Sequence, residues 1–487
     1  MKSTLLLLLL VCSQRIFAQT FVEAPQTPPF EGVAEGSIAF ADIDGDNDLD
    51  VLITGRDSSS TIISKLYTND GMGNFTEMMG TPFEGVVLSS IGFADVDGDN
   101  DQDVLITGTS SSGVISKLYT NDGMGNFTEM LGTPFTPVRS SFIAFADIDG
   151  DNDQDVLITG RSSAISAPRS SRLYTNDGLG NFTLVSGTPF LGVSSGSISF
   201  GDIDSDNDLD VLLTGFITGG ARRTASLYIN DGLGNFTSLP DTIFAGVSVS
   251  SSAIADVDDD NDQDVLIGGF GSGGPITKLY INDGTANFTE STPAPFDSIN
   301  AGSVAFEDVD GDNDPDVLIT GRNNSNMNIA KLYINDSLGN FNELLGTPFE
   351  GVSSSSFAFA DVDGDDDQDV LIIGADSSGL SISKLYLNEG IANSIDELSL
   401  SLSFTVFPNP STHSTLFLSY DSEETAEINI KVYTLKGVLI MQQKEFAVTG
   451  EQMFSIDISR LIKGIYIIEI DNGKGKGLSK FVVQSKY

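Results

Sequence analysis

An acidic phrase returns seven times along the chain, opening at Asp42, Asp95, Asp147, Asp202, Asp256, Asp308 and Asp361, so that successive copies lie 53, 52, 55, 54, 52 and 53 residues apart. A second phrase keeps the same beat. It reads "KLYTNDGMGNFTE" at Lys65 and Lys117, "RLYTNDGLGNFT" at Arg172 and "LYINDGLGNFT" at Leu227, then recurs at Lys278 and Lys331 and decays to "KLYLNEGIANSI" at Lys384. Self-similarity at a fixed period constrains a fold more than any single motif, because each unit must bury its apolar face against its neighbours. Seven copies predict seven structural units.

Each unit parses into four short β segments. In the first, "SIAFADI" alternates and leads into the acidic phrase, "DVLITG" follows as a strand, and "SKLYTN" and "NFTEM" flank an Asp-Gly turn. No helix-period segment intervenes. The expected fold is therefore all-β: a seven-bladed β-propeller of four-stranded blades, followed by a small C-terminal β-sandwich. The seventh unit lacks its last strand, and Phe21, Val22 and Glu23 near the other end are expected to supply it and close the ring.

Charge narrows the partners. The 487 residues carry a net charge of −45, yet only 19% are charged and 40% are hydrophobic, enough to bury a large core. Between residues 19 and 403 there are 13 basic and 60 acidic residues, a net −47, which argues against nucleic acid and for a cation. The start, "MKSTLLLLLLVCSQRIFAQT", has the layout of an export signal spanning residues 1–18. Cleavage after Ala18 would remove Cys12, the only cysteine, and leave no disulfide. No later apolar run has the length of a membrane helix.

The acidic phrase, "DIDGDNDLD" in its first copy, alternates carboxylates at positions 1, 3, 5, 7 and 9. The candidate metal ligands are Asp42, Asp44, Asp46, Asp48 and Asp50; Asp95, Asp97, Asp99, Asp101 and Asp103; Asp147, Asp149, Asp151, Asp153 and Asp155; and Asp202, Asp204, Asp206, Asp208 and Asp210. The remaining copies add Asp256, Asp258, Asp260, Asp262 and Asp264; Asp308, Asp310, Asp312, Asp314 and Asp316; and Asp361, Asp363, Asp365, Asp367 and Asp369. Such a set suits Ca²⁺, a hard cation that takes six to eight oxygens at about 2.3–2.6 Å, whereas Mg²⁺ keeps its waters. Gly45 and Asn47 can adopt positive φ and let the backbone wrap. Position 12 is Ile53, not the Glu of an EF-hand. The substitutions spare the ligands: Ser205 or Asp259 replaces Gly and Pro315 replaces Leu or Gln, while all the alternate aspartates stay. Up to seven Ca²⁺, one per blade, are expected.

The seven blocks resemble FG-GAP/VCBS repeats, the units of integrin-α-type calcium-binding propellers, over roughly residues 20–400. The resemblance implies side-chain ligands at positions 1, 3, 5 and 9 and a main-chain carbonyl at position 7, which for the first copy means Asp42, Asp44, Asp46 and Asp50, with Asp48 acting through its backbone. That family is usually glycine-rich at position 6, where this chain has Asn, or Asp366 in the last copy. After Leu400 the beat stops. Phe407, Pro408, Asn409 and Pro410, then Leu435, Lys436 and Gly437, then Gly464, Ile465 and Tyr466, with a terminal strand from Lys480 to Val483, resemble the sorting domain of type IX secretion substrates. The expected organisation is a signal peptide at 1–18, the propeller at 19–400 and the sorting sandwich at 401–487. It implies handling by the secretion machinery and a secreted or surface-attached product.

No enzyme is expected. The sole histidine, His413, lies in the C-terminal part, and Tyr67, Tyr119, Tyr174, Tyr228, Tyr280, Tyr333 and Tyr386 occupy one repeat position, whereas a catalytic base is ordinarily singular. The "NFT" sequons at Asn74, Asn126, Asn181, Asn235 and Asn287 recur at a turn and point to a structural role. The basic residues of the propeller map to the blade end opposite the acidic loops. Arg56, Arg161, Arg169, Arg222, Arg223 and Arg322 are the candidate ligand-binding residues there, with Arg139, Arg172 and the repeat lysines beside them. They suggest a monomeric binding or adhesion module for an extracellular acidic polysaccharide or a surface protein, the alternative being a polysaccharide lyase or hydrolase on the same scaffold.

Overall fold

The computed structural model describes residues 19–25, 30–163, 168–218, 222–240, 243–293, 295–391, 402, 404–411, 414–422, 425–434, 439–461, 463–472 and 476–483. The expected signal peptide, His413, Leu435 to Gly437 and the expected boundary at residue 400 lie outside them. Every regular element among the described residues is a β-strand, and the chain divides into two compact units, Met1–Ile391 and Ala392–Tyr487.

Within the first unit one pattern repeats. The strand Asp50–Asp57 pairs on one side with Ile38–Ala41 and on the other with Ile62–Thr68, which in turn pairs with the two-residue strand Thr76–Glu77. The outermost strand is thus shorter than "NFTEM" suggests. The innermost strand varies. It is continuous in Val87–Ala94 but split into Val33–Ala34 and Ile38–Ala41 in the first repeat. Gly36 sits at that split, where a Cβ would lie 1.7 Å from the carbonyl oxygen of Thr54, so only glycine allows the approach.

The apolar run "DVLI" is continuous because both faces of its strand are covered. Val51 and Ile53 pack with Leu371 and Ile373 of the seventh repeat, while Leu52 packs with Val104 and Ile106 of the second. Alternate residues therefore serve two cores, and fully burying each such side chain stabilises by roughly 1.5–3 kcal/mol. Equivalent clusters join the second repeat to the third and each later repeat to the next, and another joins the sixth to the seventh. With the cluster shared by the seventh and first repeats, the contacts form a closed cycle.

The N-terminal strand Gln19–Glu23 completes the last repeat, pairing antiparallel with Ser381–Ile391 so that Phe21 faces Asn388 and Glu23 faces Tyr386. Side chains follow the backbone. Each repeat carries an aromatic triad, such as Phe30, Tyr67 and Phe75 with ring centres about 5 Å apart. In the seventh repeat Phe349 and Tyr386 are joined by Phe21. At the inner edge, Glu35, Leu88, Ser140, Ser195, Val249, Ala301 and Ser354 all have φ between 46° and 56°. Their main chains link from repeat to repeat, as in Leu88 N–H to Glu35 O (2.7 Å) and Glu35 N–H to Ser354 O (3.0 Å).

Among the described residues the second unit holds two sheets. Phe404–Phe407, Thr415–Ser422 and Gly450–Asp457 form one, and Leu439–Ala447, Ala426–Thr434, Gly464–Asp471 and Lys476–Val483 form the other. Leu416 and Leu418 of the first sheet share one buried cluster with Ile428, Ile430, Ile468 and Phe481 of the second.

Candidate metal centres

Each acidic loop is wound around its first aspartate. In the first copy, Asp42 Oδ1 accepts from Gly45 N–H (2.8 Å) and Oδ2 from Asn47 N–H (3.0 Å), and Asp46 Oδ1 accepts from Asp48 N–H (3.0 Å). The turn requires left-handed backbone at positions 4 and 6. Gly45 has φ 78° and Asn47 φ 69°, and Ser205, Asp259 and Asp366 hold 62°, 60° and 69° in their copies. Asn and Asp tolerate that region better than other side chains with a Cβ, which is how this chain does without glycine at position 6.

The winding brings carboxylates together. Asp42, Asp44 and Asp50 offer oxygens within 4.8 Å of one another, as do Asp147, Asp149 and Asp155. In other copies the close set is drawn from positions 1, 3 and 5, as with Asp95, Asp97 and Asp99. The position-3 oxygens carry the decisive sign: Oδ1 of Asp44, Asp97, Asp149, Asp204, Asp258, Asp310 and Asp363 is buried with no hydrogen-bond partner. An orphaned buried carboxylate oxygen is costly. The same orphan in all seven copies fits a cation as the partner.

Electrostatics agree. Burial, and then the neighbouring Asp46 and Asp42 charges, raise the Asp44 carboxyl above its ordinary range. Burial pushes Asp50 up to about 7, against the two backbone N–H groups that favour its charged form. Those donors give position 9 a second task. Asp50 Oδ2 accepts from Ile43 N–H (3.2 Å) and Oδ1 from Asn69 N–H (2.8 Å), tying the loop to the following Asp-Gly turn. Position 7 turns away: in the first copy the Asp48 carboxylate fills the space a Cβ on Gly71 would need, 2.6 Å from both oxygens. Asp101, Asp153, Asp208 and Asp262 do the same over Gly123, Gly178, Gly232 and Gly284. None of these carboxylates enters the close sets named above, which suits a contribution through the main chain.

These two roles separate in mutants. Asp44→Asn should lower bound Ca²⁺ by about one ion per chain and cost only the stability which that ion contributes, read by metal analysis after gel filtration and by denaturant melts. Asp50→Ala should lose the ion and also strand two buried N–H donors, at roughly 1–3 kcal/mol each, read by denaturant melts. Equal melts for the two variants would refute the division.

The Asp-Gly turn reveals residues that sequence reasoning missed. Asn69 Nδ2 donates to Val362 O (2.7 Å) of the seventh repeat and Asn121 Nδ2 to Ile43 O (2.8 Å) of the first. Asn176, Asn230, Asn282, Asn335 and Asn388 likewise reach the repeat before their own. Each amide thereby docks a turn on the preceding repeat's acidic loop. The signal was present as the invariant Asn of "TNDG" and "INDG", hidden by its fit to a simple turn. The sequon asparagines act within the turn: Asn74 Nδ2 lies 3.2 and 3.1 Å from the two Asp70 oxygens.

At the opposite end the repeat lysines are paired. Lys65, Lys117, Lys278 and Lys331 lie 2.7–2.9 Å from Glu77, Glu129, Glu290 and Glu343, and Lys384 lies 3.1 Å from Glu23. Among the candidate arginines, Arg56 meets Glu35 (3.4 Å) and Arg322 Nε reaches Asn328 Oδ1 (3.3 Å), each in its own repeat. Arg161, Arg169 and Arg223 gather in the third and fourth repeats, with exposed Arg222 adjoining. The repeat tyrosines are held as well: the hydroxyls of Tyr67, Tyr174, Tyr228, Tyr280, Tyr333 and Tyr386 accept backbone N–H groups.

Comparison with known proteins gives this geometry a family. The model of the FG-GAP-like repeat matches residues 42–106, 95–158, 256–319 and 308–372, and that of the secretion system C-terminal sorting domain matches residues 405–484. No curated protein matches the chain significantly. Solved structures with some similarity include AofleA from Arthrobotrys oligospora, at 11% identity and a TM-score of 0.38 over 67% of this chain and 91% of that one. Another is the beta-fructofuranosidase of Aspergillus kawachii complexed with glycerol, at 10% and 0.28 over 84% and 89%. A glycoside hydrolase family 32 protein from Bifidobacterium adolescentis follows at 9% and 0.27 over 96% and 95%. Likenesses this low say nothing about activity. The matched repeats contain six of the seven acidic loops, all but that of Asp202 to Asp210, and the matched tail lies within the second compact unit: the chain is an FG-GAP-like repeat protein that carries the C-terminal sorting domain of type IX secretion.

Proposed function

We propose that the chain is an exported seven-bladed β-propeller, loaded with one Ca²⁺ per blade, that works as a binding module in the extracellular space or on the outer cell surface. The orphaned position-3 oxygen, repeated in all seven loops, carries the calcium reading. In each loop the side chains at positions 1, 3, 5 and 9 and the main-chain carbonyl at position 7 would hold the ion. Its charge would offset the crowded carboxylates and lock the loop against the next blade's turn. The closed cycle of cores, the docking asparagines and the N-terminal closing strand support the ring.

Binding is favoured over catalysis because the groups that could do chemistry are used structurally. Six of the seven repeat tyrosine hydroxyls, all but that of Tyr119, accept main-chain N–H groups, and the repeat lysines sit against glutamates. The ligand class is an extracellular polysaccharide or a surface protein. The C-terminal sheets are read as a sandwich that engages the secretion machinery.

Metal analysis of the purified chain should find about seven Ca²⁺, a number that sevenfold equivalence of the loops demands; zero bound ions at millimolar Ca²⁺ would refute the reading. Removal of residues 404–487 should leave a folded ring with its calcium content intact but stop surface delivery in the native host, followed by cell fractionation. Normal delivery of that truncated chain would overturn the sorting role.

A further inference from the structure

Charge on the ring is sorted by sector as well as by end. Between Phe135 and Pro240 every carboxylate belongs to two acidic loops or to Asp177 and Asp231 in the turns beside them. The same stretch carries Arg139, Arg161, Arg169, Arg172, Arg222 and Arg223, six of the 13 basic residues between 19 and 403. Strand Asp155–Arg161 sets the separation, with Asp155 at its acidic-loop end and Arg161 at the other, about 20 Å away. Elsewhere glutamates hold the repeat lysines at this level, as Glu84 and Glu129 hold Lys117 at 2.8 and 2.9 Å. In the third repeat those two positions are Thr136 and Leu184.

The arginines are ordered. Arg139 pairs in register with Arg161 and Arg161 with Arg169, so three stand side by side on adjacent strands. Arg169 donates from Nε to Ser194 Oγ (2.9 Å) and from Nη1 to Ile217 O (3.0 Å), and its guanidinium lies 5.5 Å from the Phe216 ring centre. Arg223, in the equivalent position one repeat on, donates from Nε to Ser248 Oγ (3.1 Å) and lies 5.5 Å from Phe216 and 5.0 Å from Phe270. Arg169, Phe216, Arg223 and Phe270 form a cation–aromatic ladder from the third repeat to the fifth, ending on the exposed Phe270 ring. The Nε of Arg139 is buried with no hydrogen-bond partner. Burial, and then the Arg161 charge, lower the pKa of Arg169. Arg139, Arg161 and Arg169, crowded in this way with no carboxylate paired to them among the described residues, call for an anion.

We propose that this sector binds an acidic polysaccharide through its sulfate or carboxylate groups. Guanidinium forks grip such oxyanions bidentately, and ring faces beside them suit the apolar faces of sugars. Cations spread over two repeats match a repeating polymer better than a lone ion, because many weak contacts then act together. The proposal rests on the reading of the chain as an exported binding module. It narrows the ligand to one class and the site to one sector.

The test uses the full chain in Ca²⁺ with immobilised dextran sulfate, polygalacturonate and neutral dextran, and metal content measured on the same samples. Wild type should bind the two polyanions and not dextran, more weakly as salt rises. Arg161→Gln combined with Arg222→Gln avoids the ladder and should weaken binding by about tenfold or more and flatten the salt dependence. Arg56→Gln combined with Arg322→Gln, in other sectors, should stay within about twofold of wild type. If the calcium-loaded chain binds neither polyanion, the sector proposal falls while the calcium reading stands. Unchanged binding in the Arg161, Arg222 variant would assign the polyanion to the calcium-bearing end and also overturn it, as would equal losses in both double variants. A sample without calcium that still binds through the sector would uphold this proposal and defeat the calcium reading.

Discussion

Chelation should lower the thermal midpoint by about 10 °C or more, and Ca²⁺ should restore it where Mg²⁺ does so poorly. Each site saturated at 100 times its dissociation constant stabilises by roughly 2.7 kcal/mol, and the sites act on one cooperative ring. The metal-free loops supply the other side of the balance. Burial pushes Asp50, Asp103, Asp210, Asp264 and Asp369 up to about 7, Asp155 to about 6 and Asp316 to about 8. A carboxyl whose folded pKa is raised stays protonated in the fold while the unfolded chain has released its proton. Its stabilising contribution is present at low pH and fades as pH rises through the folded value. In chelator the protein should therefore become more stable as pH falls from about 8 to about 5. The calcium-loaded protein should show the opposite slope, because protons then compete with the ion. Melts at several pH values in each condition read both slopes. Parallel slopes, or a melt indifferent to verified metal removal, would refute calcium as part of the fold.

The sequence displayed what side chains repeat and concealed what the backbone repeats. Asp44 and its equivalents stand out as candidate ligands because the same acidic residue is kept in every copy. The closing strand was visible in the seventh repeat's loss of "NFT" and the presence of Phe21 at the other end. By contrast, the inner positions held at positive φ are Glu35, Leu88, Ser140, Ser195, Val249, Ala301 and Ser354, with no common chemistry. Their task is a main-chain link that any side chain leaves unmarked. Asp50 looked like one more ligand because nothing local shows that both its oxygens receive N–H groups from residues 43 and 69. The lysines were set beside the arginines as candidates for a binding end because sequence gives end but not partner. Only the fold puts Glu77 on the neighbouring strand within reach of Lys65.

The ring should depend on the short N-terminal strand out of proportion to its length. Phe21 is 6% exposed and lies 5.0 Å from Phe349, filling the place that Phe75 or Phe127 takes in the first two repeats. Glu23 meets Lys384 at 3.1 Å, as Glu77 meets Lys65, and Ala24 N–H donates to Leu385 O at 2.9 Å. Phe21→Ala should cost about 3–5 kcal/mol, since it empties a core position that cannot collapse without moving the strand. Val22 points outward with 49% exposure, so Val22→Ala on the same strand should cost about 0.5 kcal/mol or less. Kinetics should separate the effect further. The pairing of Phe21 with Asn388 joins the two ends of the first unit, so its loop-closure cost falls late in folding. Phe21→Ala should accordingly speed unfolding by most of its stability loss and leave the folding rate nearly unchanged. Deletion of residues 19–25 should go beyond either substitution and expose the outer edge of strand Ser381–Ile391, which keeps its pairing with Asp369–Ala375, with self-association detectable by light scattering. If Phe21→Ala melts like wild type while Val22→Ala does not, the strand is turned over relative to this structure. If neither matters and the deletion stays monomeric, the ring closes without it.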